Sequence, residues 1–223
     1  MDRYKEEFIE FMVKSGVLTF GKFKTKSGRL TPFFINTGNY DNGAQMSKLG
    51  QFYATAIKQN IPDENLHLYG PAYKGIPLVV TTSIALYDLY ENNFTFTFNR
   101  KEAKDHGEGG SLVGYKFKDD DKVVIIEDVT TSGASVRESV PILKACAKVK
   151  LEALVVSVDR MEKGNHGISA LEELQNEYGL KSFAIVNLEE VVEYLSGNEI
   201  DGQVILTEEI KKDIDQYRLE YGV

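Results

Sequence analysis

Two adjacent carboxylates, Glu127 and Asp128, lie between an apolar run, Val123 to Ile126, and a run of small and hydroxyl residues, Thr130, Thr131, Ser132, Gly133, Ala134 and Ser135. The loop residues suit an anion: at a helix N-terminus, backbone N–H groups and hydroxyls point at a phosphate. Carboxylates repel phosphate, so the acidic pair must serve something else, a metal ion or hydroxyl groups beside the phosphate. A sugar phosphate meets both needs, with its hydroxyls on Glu127 and Asp128 and its phosphate in the loop. An acidic turn followed by a Ser/Thr helix cap is the plain alternative.

The flanking elements agree with a ligand site. The β-branched run Val123–Ile126 fits a strand buried on both faces of a parallel sheet. That puts the carboxylates at the strand's carboxyl end, where open α/β sheets bind ligands. The charged, amphipathic stretch through Arg137, Glu138, Ile142, Leu143 and Ala145 reads as the following helix. The whole run resembles the phosphoribosyl-diphosphate binding motif of the type I phosphoribosyltransferases: four apolar residues, two acids, an apolar residue, then a Thr/Gly/Ser loop. That resemblance implies that Glu127 and Asp128, the latter counted among the catalytic residues, bind ribose hydroxyls, and that Thr130 to Ser135 hold the 5′-phosphate.

Three further stretches bear on the same site. Gly70-Pro71-Ala72-Tyr73-Lys74-Gly75-Ile76-Pro77 packs two glycines and two prolines into eight residues, after a strand at Leu66–Tyr69. It is a constrained turn of unusual backbone geometry. Read alone, it serves equally as a tight strand-to-helix connection; in the family it is the diphosphate loop, with Tyr73 and Lys74 facing the ligand. The charged, glycine-rich segment from Arg100 to Ser111 follows an alternating strand at 94–99 and reads as a mobile loop or solvated hairpin. It concentrates Arg100, Lys101, Lys104 and His106 in an acidic chain. The string matches the catalytic lid of orotate phosphoribosyltransferases. This implies that Arg100, Lys101, Lys104 and His106 meet the diphosphate, with Lys101, Lys104 and His106 catalytic, and that the lid 100–111 closes over the neighbouring subunit of a homodimer. The third stretch runs from Phe20 to Asn36, with Lys-Ser-Gly-Arg at 26–29 and Pro-Phe-Phe at 32–34. It alternates as two strands joined by a Ser-Gly turn, which on composition is a lysine-guarded edge. It also looks like the N-terminal hood of the same family. There Lys26 would touch the diphosphate and the orotate, while Phe33 and Phe34 flank the pyrimidine, a flat ring that needs an apolar face against it. The resemblance adds Thr131 and Arg160 to the orotate contacts. A guanidinium binds both oxygens of a planar carboxylate; a surface pairing of Arg160 with Asp159 is the alternative.

Composition bounds the rest. At 223 residues, 42% hydrophobic and 27% charged, the chain has the length of one large domain or one domain with an appendage, with a composition ordinary for a soluble protein. Its net charge of −8 speaks against non-specific nucleic-acid binding. The single cysteine, Cys146, excludes an internal disulfide and reads as a buried small apolar residue; three scattered histidines make a zinc site improbable. The Asp119–Asp121 cluster reads as a solvated turn. No stretch approaches membrane-span length and the N-terminus has no apolar signal region, so a cytoplasmic enzyme is expected.

Helical spacing predicts helices at 3–14, 43–60, 78–90, 168–178, 189–195 and 207–217, and strands at 112–115, 122–126, 153–158 and 182–187. Alternating strands and helices imply an α/β fold with a central, mostly parallel sheet flanked by helices, the type I phosphoribosyltransferase fold with an N-terminal hood over the sheet's carboxyl edge. One phosphoribosyltransferase domain over 1–223 is expected: hood from about 1–40 plus part of 160–200, core about 43–160, and a C-terminal helix without catalytic features. The family implies orotate and 5-phosphoribosyl 1-diphosphate as substrates, with Mg2+ held mainly by substrate and water and no protein side chain assigned to it. A phosphoribosyltransferase for a purine or uracil shares the 123–135 motif but needs neither Arg160 nor this lid. A non-catalytic regulator on the same fold would have no use for the lid cations.

Overall fold

The computed structural model describes the chain except residues 26–27, 105–109 and 165, and the side chains of residues 102–110. In chain order it runs α1 (Arg3–Lys14), β1 (Leu18–Lys24), β2 (Leu30–Ile35), a 3-10 turn (Thr37–Asn39), α2 (Gly43–Asn60), β3 (Leu66–Gly70), α3 (Gly75–Tyr90), β4 (Thr95–Lys104) and β5 (Gly110–Gly114). Then come β6 (Lys122–Ile126), α4 (Ala134–Cys146), β7 (Lys150–Asp159), α5 (Ala170–Tyr178), β8 (Lys181–Asn187), α6 (Leu188–Gly197), the short pair β9 (Glu199–Ile200) and β10 (Gln203–Val204), and α7 (Glu208–Tyr221).

Six strands form the central sheet in the order β5-β4-β3-β6-β7-β8, parallel except for the β4–β5 pair. β6 lies inside it, and Val123 to Ile126 are all fully buried. Successive strand side chains point to opposite faces. Val124 and Ile126 therefore join Leu68, Val155 and the apolar faces of α1, α2 and α3 in one core. Val123 and Ile125 join Tyr69, Leu154 and Val156 beneath α4 and α5 in the other. Burial on both sides explains a strand with no polar alternation, each side chain contributing about 1.5–3 kcal/mol.

The antiparallel pair β1–β2 is a separate two-stranded sheet. It packs against α7, where Phe33 meets Tyr217 edge-on at 5.9 Å between ring centres. The turn after β2 reaches the carboxyl end of β6, where Thr37 touches Asp128. The hood is thus closed by the two ends of the chain.

Two points of the sequence reading are decided. Of loop and hairpin for 100–111, the described residues show the hairpin: 100–104 and 110–111 belong to strands, with Lys104 opposite Gly110, an antiparallel ladder continuing the sheet. Cys146 is exposed, because it ends α4 on the side facing away from the sheet instead of joining the apolar stripe of Val136, Val140 and Leu143.

Candidate active site

The acidic pair is fixed through its backbone before its side chains do anything. Glu127 N donates to Val155 O at 3.0 Å and Ser157 N donates to Asp128 O at 2.8 Å, which carries the β6–β7 pairing past the end of the strand. The hydroxyl of Tyr53, wholly buried on α2, donates to Glu127 O at 2.8 Å, and the hydroxyl of Ser157 donates to Asp128 O at 2.6 Å. Held this way, the two side chains diverge. Glu127 turns inward, 5% exposed, and accepts from the Asp128 N–H at 3.0 Å. Asp128 turns to the cleft, where its Oδ2 accepts from Thr37 Oγ1 at 2.6 Å and from Lys74 Nζ at 2.8 Å. Lys74 Nζ also donates to Thr37 Oγ1 at 2.9 Å, which closes a triangle across the hood, the Gly70–Pro77 turn and the end of β6.

These surroundings push the two carboxyls apart. Burial raises Glu127, against a hydrogen bond from Ser135, and the neighbouring Asp128 charge raises it further. Burial would raise Asp128 as well, but the hydrogen bonds from Lys74 and Thr37 outweigh it and hold that carboxyl below the ordinary range. Asp128 is therefore the ionised member of the pair at neutral pH, and Glu127 the one that more readily holds a proton.

The Gly70–Pro77 turn contains a cis peptide between Ala72 and Tyr73. Its anchor is a residue that composition did not single out. Asn99, on β4, accepts at Oδ1 from Ala72 N at 2.8 Å and from Tyr69 Oη at 3.0 Å. Tyr73 is 70% exposed, and the ammonium of Lys101 lies 5.9 Å from its ring centre. The turn and the end of β4 around Lys101 are therefore neighbours. Asn99→Ala would leave the Ala72 N–H and the Tyr69 hydroxyl without their shared acceptor, each loss worth about 1–3 kcal/mol. The expected result is an approximately tenfold higher KM for the ligand that carries the diphosphate, with a smaller effect on the other substrate. Steady-state kinetics with each substrate varied in turn checks this, and an unchanged diphosphate KM would dismiss the anchoring role.

Thr130 to Ser135 turn into α4 as the sequence suggests. Thr130 Oγ1 accepts from Gly133 N at 2.9 Å, and Gly133 takes a left-handed conformation, φ 70°. A Cβ there would also meet Leu174 at 2.9 Å. Thr131, Ser132 and Ala134 face solvent. From behind, Arg137 donates to Ser132 O and pairs with Glu177 at 2.8 Å and Glu173 at 3.3 Å. This contact ties the Ser132 carbonyl to a guanidinium that α5 holds through Glu173 and Glu177.

The acceptor side departs from expectation. Phe33 and Phe34 do not form a pair of exposed rings. Phe33 is fully buried against Tyr217, while Phe34 is 45% exposed and stacks on Phe23 at 5.5 Å. Neighbours on a strand face opposite ways, so of the two only Phe34 presents its ring to solvent. Arg160 does not pair with Asp159, whose Oδ1 accepts from Met161 N at 2.8 Å. Its guanidinium lies 4.5 Å from the centre of the Phe33 ring and donates to Glu162 Oε1 through Nε at 3.0 Å and Nη2 at 2.5 Å. Lys26, His106 and the side chain of Lys104 lie outside the described residues. Among the described residues no three His, Cys, Asp or Glu side chains form a metal-binding group.

The Phosphoribosyl transferase domain family matches residues 36–182. An orotate phosphoribosyltransferase of Clostridium botulinum (strain Alaska E43 / Type E3) is 57% identical over 222 residues, covering 100% of this chain and 99% of the relative. The chain belongs to the orotate phosphoribosyltransferase family. A further family member, from Clostridium acetobutylicum, is 55% identical over 223 residues and covers both chains fully. Among solved structures, the orotate phosphoribosyltransferase of Francisella tularensis superposes with a TM-score of 0.84 at 37% identity, covering 97% of this chain and 100% of that one. Within this orotate phosphoribosyltransferase fold, the positioning residues that sequence reasoning missed are Thr37, Tyr53, Asn99, Ser157 and Glu162. Only Thr37 left a signal, as the hydroxyl of an Asn-Thr-Gly turn directly after the hood strand; the other four act across 25 or more residues of chain or after a turn whose direction the sequence does not give.

Proposed function

We infer that this chain transfers the 5-phosphoribosyl group from 5-phosphoribosyl 1-diphosphate to orotate, giving orotidine 5′-monophosphate and diphosphate, a step of de novo pyrimidine synthesis. The observation that carries the reading is the acidic pair at the end of β6, followed directly by the Thr130–Ser135 loop and capped by Lys74. Asp128, ionised and facing the cleft, accepts from ribose hydroxyls; Thr130 to Ser135 receive the 5′-phosphate. Before substrate arrives, Lys74 occupies Asp128. A diphosphate offers that ammonium a stronger partner than a single carboxylate, so binding moves Lys74 to the diphosphate and frees Asp128 for the sugar.

In the reaction the sugar–diphosphate C–O bond breaks, with its electron pair leaving on the diphosphate. The pyrimidine nitrogen attacks the anomeric carbon from the opposite face, and its proton passes to the diphosphate or to water. No covalent enzyme intermediate is needed. Catalysis consists of stabilising the leaving charge and excluding water. Lys74, Arg100 and Lys101 supply cations from the turn and the lid root, joined by Lys26, Lys104 and His106 of the lid and hood, and His106 carries a proton or hydrogen bond to the leaving group. Phe34 and Thr131 flank the pyrimidine and Arg160 meets its carboxylate. Mg2+ would accompany the diphosphate, held mainly by substrate and water, while Glu127 and Asp128 serve the ribose hydroxyls. When bound, the ion screens the diphosphate charge.

A homodimer belongs to the same reading. Ile84 and Tyr87, 55% and 57% exposed, lie one turn apart on α3, the helix that begins at the diphosphate turn. Such an apolar face suits a second copy, whose lid would reach this site. Ile84→Glu is expected to shift the protein to monomer in sedimentation and to lower activity at least about tenfold at dilute protein. A fully active dimer would send the interface elsewhere. Among the described residues no helix is long and apolar enough to cross a membrane, and we place the enzyme in the cytoplasm.

The direct test mixes protein, Mg2+, phosphoribosyl diphosphate and orotate and follows orotate absorbance. Orotate loss that requires Mg2+, with no product from uracil, is the expected result; a folded protein inert toward orotate but active on another base would replace the acceptor.

A further inference from the structure

Glu162 is part-buried and accepts four hydrogen bonds from three side chains. Its Oε1 accepts from Arg160 Nε and Nη2 and from Tyr217 Oη at 2.8 Å, and its Oε2 accepts from Arg29 Nη2 at 2.7 Å. Arg29 in turn lies over the rings of Tyr217 and Tyr221, at 5.5 and 4.7 Å. The backbone is joined at the same place: Lys163 N donates to Tyr221 O at 2.8 Å, and Val223 N donates to Met161 O at 3.0 Å. The end of α7 is thus stitched to the turn after β7, and its tyrosine reaches the carboxylate that holds Arg160.

A carboxylate 9% exposed between two guanidiniums is a demanding arrangement, retained only when every partner is in place. Here the partners orient one fork. Glu162 takes the Nε–Nη2 edge of Arg160, and the Phe33 ring sets the plane of the guanidinium. That leaves the Nη1 side for a second planar anion.

We propose that Glu162, gripped by Tyr217 of the C-terminal helix and by Arg29 of the hood, is the positioning residue that turns Arg160 toward the acceptor's carboxylate. The C-terminal helix thereby becomes part of acceptor selection. The proposal rests on Arg160 as the carboxylate contact, and its test separates the two.

The experiment measures both Michaelis constants for Glu162→Gln, Tyr217→Phe and Arg160→Ala in the full-length enzyme. Glu162→Gln keeps the shape and removes the charge. It is expected to raise the orotate KM about tenfold, the scale of one charge-assisted hydrogen bond, with the phosphoribosyl-diphosphate KM within about twofold of wild type. Tyr217→Phe removes one hydroxyl and is expected to shift the orotate KM the same way by about threefold; it carries the test alone if the glutamine variant does not fold. An unchanged orotate KM, or both constants rising together, overturns the proposal. If Arg160→Ala also leaves the orotate KM unchanged, the carboxylate contact itself is lost; if Arg160→Ala raises it and Glu162→Gln does not, only the positioning role falls.

Discussion

Asp128→Asn will lower turnover about 100-fold while leaving the fold intact. The substitution keeps size and shape, and the backbone that carries the residue is held by Tyr53, Ser157 and Val155 rather than by the side chain. What disappears is the negative charge that Thr37 and Lys74 now share and that ribose hydroxyls would use in the complex. Hydrogen bonds to a charged group are worth about 1.5–3 kcal/mol each. Losing the charge from a pair of them costs roughly 3 kcal/mol, or two decades in rate. The effect should fall on turnover, because the charge opposes a positive anomeric carbon that exists only as diphosphate departs. Rates of the purified variant within about threefold of wild type, with an unaltered melting curve, would remove Asp128 from the catalytic set.

Gly70→Ala should be the most damaging single methyl in the chain's ligand-binding half. A Cβ at Gly70 would lie 2.1 Å from Gly75 O, 2.6 Å from Gly75 C and 2.9 Å from Val79 Cβ. The first two are backbone atoms of the turn, with no rotamer by which to move aside. The end of β3 and the start of α3 are in direct main-chain contact, and a methyl group must drive them apart. Overpacking of this kind costs about 1–3 kcal/mol or more, and at the upper end the melting temperature falls by roughly 6–12 °C for a chain of this size. The same displacement would carry Lys74 away from Asp128, so affinity for the diphosphate-bearing substrate should fall with stability. A variant that melts within a degree or two of wild type would mean that the strand–helix contact yields more easily than its geometry implies.

How much of this was legible depended on whether a feature is contiguous. Strand, acidic pair and hydroxyl-rich loop stand together between Val123 and Ser135, each with its own local signal, so β6, the turn into α4 and the parallel sheet around them could be read directly. The acceptor side is assembled from Phe33 and Arg29 of the hood, Arg160 and Glu162 beyond β7, and Tyr217 of α7. No window of sequence contains that group, and a carboxylate two residues past an arginine is ordinary until Met161 is seen at φ 52° turning the chain. The different burial of Phe33 and Phe34 follows from the strand, which alternates its faces and so turns one ring to the core and the other to solvent. Asn99 was hidden for another reason. It sits within β4 just before a charged run, and only the fold brings the Ala72 N–H to its side-chain oxygen.

The exposed thiol at the end of α4 has a practical consequence. Cys146 is the chain's one cysteine. It closes the helix whose other end begins at the phosphate loop, and thirteen residues of helix separate the two ends by about 20 Å. A maleimide dye or a surface tether would therefore attach at a single defined point, without engineering and without entering the cleft. An immobilised or fluorescent enzyme made this way keeps its native residues at every position, and a label there reports on tumbling and assembly while substrates come and go at the far end of the same helix.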